Sequence, residues 1–83
     1  MEQSISILGS TGSIGRQTLQ VLAGLPIRVA ALAANRSTAR MEEQCRRMHP
    51  RLAVLADEAA AADLRVRLAD TDIRVAGGRE GLL

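Results

Sequence analysis

The stretch Ile5-Ser6-Ile7-Leu8-Gly9-Ser10-Thr11-Gly12-Ser13-Ile14-Gly15 constrains this chain more than any other. Apolar residues alternating with small polar ones read as a strand, and three glycines spaced three apart lead straight into an apolar-periodic segment. A strand, a glycine-rich turn and a helix start in that order build a cradle for phosphate, because backbone N–H groups and the positive helix end converge on one point. Gly9 is expected to make the tight exit from the strand, Gly12 to admit a phosphate close to the backbone, and Gly15 to let the helix sit close. Ser10, Thr11 and Ser13 add hydroxyl donors there.

Downstream, Ile14, Thr18, Leu19, Val21 and Leu22 give a helical pattern from Ser13 to Ala23, ended by Gly24 and Pro26. The apolar run Ile27–Ala34 reads as a strand of a parallel sheet. Asn35-Arg36-Ser37-Thr38 offers helix-capping residues, and Met41, Cys45 and Met48 repeat at helical spacing until Pro50, with Glu42 and Glu43 expected near the positive end of that helix. Leu52–Ala56 follows as a strand, Asp57 as the cap of an alanine-rich helix to about Ala69, and Ile73–Ala76 as a short strand before Gly77-Gly78 turns the chain. The order βαβαβαβ predicts an α/β fold, a doubly wound, Rossmann-like parallel sheet, here truncated.

Two features address the ligand. The spacing G-x-x-G-x-x-G is one residue longer than the commoner dinucleotide pattern and is familiar in enzymes using the phosphorylated nicotinamide cofactor. A Walker turn is excluded because the chain has no lysine. At the end of the second strand, where an acid would bind the ribose 2′-hydroxyl of NAD, there is none between Glu2 and Glu42. Asn35-Arg36-Ser37 stands there, and the planar fork of Arg36 suits a 2′-phosphate, which predicts NADP(H) over NAD(H). The plainer alternative leaves Arg36 as a solvated loop residue and Ser37 or Thr38 as a cap.

Composition narrows the setting. With 83 residues and no aromatic side chain, the chain is one small domain with an aliphatic core, thin for an independent enzyme, so a fragment or detached domain is expected. All eleven basic residues are arginine, yet the net charge is only +2 and nine acids alternate with them. Without aromatic platforms this argues against nucleic acid as a partner. The single cysteine rules out an internal disulfide, and no segment has the character of a signal peptide or membrane span. A cytoplasmic protein is expected.

With both motifs placed, the sequence resembles the N-terminal part of the 1-deoxy-D-xylulose-5-phosphate reductoisomerase family. The resemblance lies in Leu8–Gly15 followed by Thr18-Leu19, Ala31–Arg36, Glu43-Gln44-Cys45, and His49-Pro50 leading into Ala53-Val54. It implies that Thr11, Gly12, Ser13 and Ile14 bind the NADPH pyrophosphate, and that Asn35, Arg36 and Ser37 grip the 2′-phosphate. Ser37 stands where the family often has Asn, and the connection at Gly24-Leu25-Pro26 is shorter than usual. The resemblance further implies a rearrangement and NADPH-dependent reduction of a phosphosugar, a divalent metal (Mg or Mn) held by acids downstream of this chain, and a homodimer when full-length. Residues 1–83 are then an NADPH-binding fragment without the catalytic residues. Other NADP-dependent oxidoreductases with this turn, or a stand-alone NADP-binding module, are the alternatives.

Several conspicuous residues are expected to be structural. Cys45 falls on an inward helical stripe with Met41 and Met48, and His49 ends a helix with no partner ligand at metal-site spacing. Asp70 and Asp72 flank Thr71 in a helix-to-strand turn, which collects Asp for backbone reasons.

Overall fold

The computed structural model describes residues 3–78. These form β1 (Gln3–Leu8), α1 (Ser13–Leu22), β2 (Ile27–Ala34), α2 (Thr38–Met48), β3 (Leu52–Leu55), α3 (Glu58–Arg67) and β4 (Arg74–Gly77). The alternation is the expected one, and Gly77 closes β4 rather than opening the turn. Residues 79–83, which end on the apolar pair Leu82-Leu83, lie outside the described residues.

All four strands are parallel and lie in the order β1-β2-β3-β4. Right-handed crossovers that advance in one direction place their helices on one face of the sheet. Contacts along the helix row agree: Arg40 and Gln44 of α2 reach the turn before α1, and Arg46 and Arg67 tie α2 to α3. The Rossmann-like parallel class is as expected, and the reversal of a doubly wound sheet does not fall between these four strands.

The run Ile27–Ala34 gains its shape from an irregularity in register. Val29 pairs with Ile5 and Ala31 with Ser6, so Ala30 is an extra residue on β2. Such a bulge lets Val29 and Leu32, three apart, both face the helices and be buried. The core there is Leu19, Leu22, Val29, Leu32, Met41, Cys45, Leu55, Leu64 and Leu68, with Ala53 and Ala61 where strand and helix approach closely. Ile14 and Val21, two apolar residues of the helical pattern in α1, are 80% and 66% exposed. The inner face is instead Gly15, Leu19 and Leu22, at i, i+4 and i+7.

The helix ends follow local chemistry. Asp57 Oδ1 accepts the Ala60 N–H at 2.9 Å and caps α3. His49 ends α2 in the left-handed region (φ 51°), with its N–H on the Cys45 carbonyl at 2.8 Å. One expectation for α2 is corrected: the helix starts at Thr38, so its first turn carries no acid. Glu42 lies a turn further on and pairs with Arg46 and Arg67, each at 3.2 Å. Arg46 also donates to both Asp70 carboxylate oxygens, at 3.0 and 2.9 Å, and holds that carboxyl below its ordinary value. In the same turn the Thr71 hydroxyl donates to the Leu68 carbonyl at 2.7 Å and accepts the Ile73 N–H at 3.3 Å.

Candidate functional site

The turn between β1 and α1 is pinned by β2. The N–H groups of Gly9 and Ser10 both donate to the Ala33 carbonyl, at 2.7 and 3.0 Å, and the Gly12 N–H donates to the Gly9 carbonyl at 3.0 Å. Gly9 has φ +70°, which the sharp exit requires, although a side chain there would have open space. Gly15 is needed for the opposite reason: a Cβ would collide with the Gly9 carbonyl oxygen and come within 2.7 Å of Ser10 Cα. At Gly12 a Cβ would meet only the Gly9 oxygen, at 3.4 Å. The fold itself therefore tolerates a methyl at Gly12, and what the missing Cβ leaves is room above the backbone.

That room faces donors. Gly12 occupies the N-cap of α1 without a side-chain cap, and the N–H groups of Thr11, Ser13 and Ile14 have no protein acceptor among the described residues. Unpaired N–H groups at the start of a ten-residue helix carry the positive end of its dipole. A cleft of about 490 Å³ opens here, lined by Gly9, Thr11 and Gly12 on one side and Asn35, Arg36 and Ser37 on the other. The two motifs, more than twenty residues apart in sequence, thus meet at the carboxyl ends of β1 and β2. Ser13 and Ile14 lie exposed beside Leu8 in an adjoining hollow.

Asn35, Arg36 and Ser37 are all exposed, and Arg36 makes no ion pair among the described residues, which leaves its guanidinium available to an anion. One expectation fails in detail: the Ser10 side chain is fully buried with its hydroxyl unpartnered, so it is not a donor to a ligand in the cleft. The reason is that residue 10 lies beneath α1 at the Gly15 crossing and against Gln44 of α2, whose Nε2 donates to the Ser10 carbonyl at 2.7 Å. Gln44, and Arg40 with its Nη1 at 3.3 Å from the Thr11 carbonyl, are contacts that reading by motif passed over. The available signal was a polar residue set into the inward stripe of Met41, Cys45 and Met48.

A larger depression, of about 830 Å³, lies at the opposite end of the sheet among Arg28, His49, Arg51, Asp72 and Arg74. Ligands of open α/β sheets bind outside the carboxyl ends of the strands, which favours the smaller cleft. Burial pushes the Cys45 thiol up to about 12, so it is neutral and unreactive at ordinary pH. Among the described residues no three His, Cys, Asp or Glu side chains gather as a metal site, and no helix is long and apolar enough to cross a membrane.

The family model for 1-deoxy-D-xylulose 5-phosphate reductoisomerase matches residues 5–83. The chain belongs to this family. It is 52% identical to the reductoisomerase of Acetivibrio thermocellus over 82 residues, covering 99% of this chain and 22% of that protein. The relative from Moorella thermoacetica is also 52% identical, over 85 residues that cover all of this chain and 22% of the relative. Among solved structures, the reductoisomerase from Zymomonas mobilis in complex with NADPH superposes with a TM-score of 0.94 at 32% identity, over 99% of this chain and 22% of that one. A reductoisomerase in complex with magnesium gives 0.90 at 30% identity, over 99% of this chain and 21% of the other. The chain thus spans about a fifth of the length of the reductoisomerases it matches.

Proposed function

We propose that these residues are the NADPH-holding part of an enzyme that rearranges 1-deoxy-D-xylulose 5-phosphate and reduces it to 2-C-methyl-D-erythritol 4-phosphate. The observation that carries this reading is the meeting of the Gly9–Gly15 turn and the Asn35–Ser37 loop on one cleft. The Thr11, Ser13 and Ile14 N–H groups would take the pyrophosphate, with Gly12 giving it access and Gly9 and the Ser10 backbone fixing the turn. Asn35, Arg36 and Ser37 would take the 2′-phosphate, where a charged fork at the rim selects NADPH over NADH.

The nicotinamide supplies a hydride when bound; this chain's part is to bind and orient the adenosine and pyrophosphate. The divalent cation, Mg or Mn, and the acids that hold it belong to other parts of the protein, as do the phosphosugar contacts. The whole protein is read as a cytoplasmic homodimer, with residues 1–83 as part of its cofactor domain. Titrating it with NADPH and with NADH tests the cofactor assignment. NADPH is expected to bind at least tenfold more tightly, as charge-assisted contacts to one phosphate allow (about 1.5–3 kcal/mol). Equal affinities would sink the role of Arg36, and no binding of either would sink the cofactor reading.

A further inference from the structure

We propose that Gln44 is a positioning residue that aims the Thr11 N–H into the cofactor cleft; this rests on the cofactor reading above. Gln44 comes from α2, 34 residues after Ser10, and is only 8% exposed. Its Nε2 donates to the Ser10 carbonyl at 2.7 Å, while the Ser10 N–H is held by the Ala33 carbonyl. Both backbone polar groups of residue 10 are therefore fixed from outside the turn, one by α2 and the other by β2.

The consequence follows from the peptide plane. The Ser10 carbonyl and the Thr11 N–H belong to the same planar, trans peptide unit and point in opposite directions. Gln44 draws that carbonyl toward α2, and so the Thr11 N–H, which has no protein acceptor among the described residues, is turned away from α2. Thr11 lines the cleft. Were the peptide to rotate, a carbonyl oxygen would replace a donor in front of an anion.

The choice of side chain points the same way. Gln44 lies between Met41 and Cys45 on the buried face of α2, and its Oε1 has no partner. A methionine of similar length would fill the core but would leave the buried Ser10 carbonyl without a donor. Glutamine is a side chain of that length that can donate to the carbonyl, and the bond it makes fixes the orientation of the Ser10–Thr11 peptide. Because α2 begins directly after Ser37, the same helix connects the loop that takes the 2′-phosphate with the turn that takes the pyrophosphate.

The test uses the full-length protein carrying these residues, with NADPH and adenosine 2′-monophosphate as probes. Gln44→Met is expected to lower the melting temperature, because the buried Ser10 carbonyl loses its donor, and to weaken NADPH about tenfold, the worth of one N–H aimed at an anion. Adenosine 2′-monophosphate, which does not reach the turn with a pyrophosphate, is expected to bind within about twofold of wild type. Gln44→Glu provides a second arm that survives poor folding of the first. Its protonated carboxyl can donate to the Ser10 carbonyl and its ionised form cannot, so NADPH affinity relative to wild type at the same pH should fall about tenfold from pH 5 to pH 8. Unchanged NADPH affinity in Gln44→Met, or a flat ratio across pH in Gln44→Glu, overturns the inference while leaving the cofactor reading intact. Wild-type protein that binds neither probe overturns the cofactor reading, and this inference with it.

Discussion

At Gly15 an added methyl would meet the Gly9 carbonyl oxygen and Ser10 Cα, and neither is a flexible side chain that can step aside. Gly15→Ala is therefore expected to lower stability by about 1–3 kcal/mol, the usual cost of overpacking, and to weaken NADPH because the displaced atoms belong to the turn. Denaturant unfolding and a cofactor titration check the two effects; unchanged values in both would contradict the close approach. Arg36→Glu acts on the other side of the cleft. It should leave stability within about 0.5 kcal/mol, since the side chain is exposed and makes no ion pair among the described residues, and weaken NADPH by about 10- to 100-fold with little effect on NADH. The shapes required of Gly9 and Gly15 and the place of Arg36 beside the turn were legible because they are set locally: a turn that needs φ > 0, a close crossing, a loop that ends the second strand. Gln44 and the buried Ser10 hydroxyl were not, because their meaning depends on a contact between residues 34 positions apart. The polar Gln44 beside the stripe of Met41, Cys45 and Met48 points to a contact, but no spacing names its partner.

At the scale of elements, α3 is capped by the Asp57 side chain and joined to α2 by a charged cluster. Removing the cap with Asp57→Ala should cost about 1 kcal/mol, measured as a shift of the unfolding midpoint, because the Ala60 N–H loses its acceptor. The cluster of Arg46, Arg67, Glu42, Asp63 and Asp70 joins α2 to α3 and to the turn after it. Arg46 depresses the Asp70 carboxyl, so the unfolded chain takes up the proton first as the pH falls. The contribution is present above about pH 4 and is lost as pH drops through the lower folded value. Asp70→Asn should flatten the acid limb of the stability profile, and less so at high salt, as expected of an exposed pair. Element types and order were readable from periodicity and punctuation. Inward faces were less so: Ile14 and Val21 look like core by residue type, yet the crossing at Gly15 sets the rotation of α1 and turns both outward.

Across the whole molecule the aliphatic core is a single layer between the sheet and one row of helices, and Cys45 lies inside it. Its thiol is raised from 9.0 to about 12 by burial, so unfolding releases a group that ionises more easily. The sign is the reverse of Asp70: this contribution is complete below about pH 9 and lost as pH rises toward 12. Labelling of Cys45 by a thiol reagent at pH 8 should proceed no faster than unfolding, and fast labelling of the native protein would contradict its burial. The parallel α/β class was legible from the order of elements; the direction of winding was not, because nothing in a strand's own residues names its neighbour. That direction bears on how the molecule assembles. Each strand pairs with the one before it, so no contact in the sheet waits for a later unit to be inserted between earlier ones. Both walls of the cleft, and the glutamine that ties them, lie within residues 8–44. A chain growing from its amino end can therefore pair the strands that carry both motifs before β4 exists, while the Asp57 N–H, 2.9 Å from the Asn35 carbonyl, fixes the second wall only once β3 has formed.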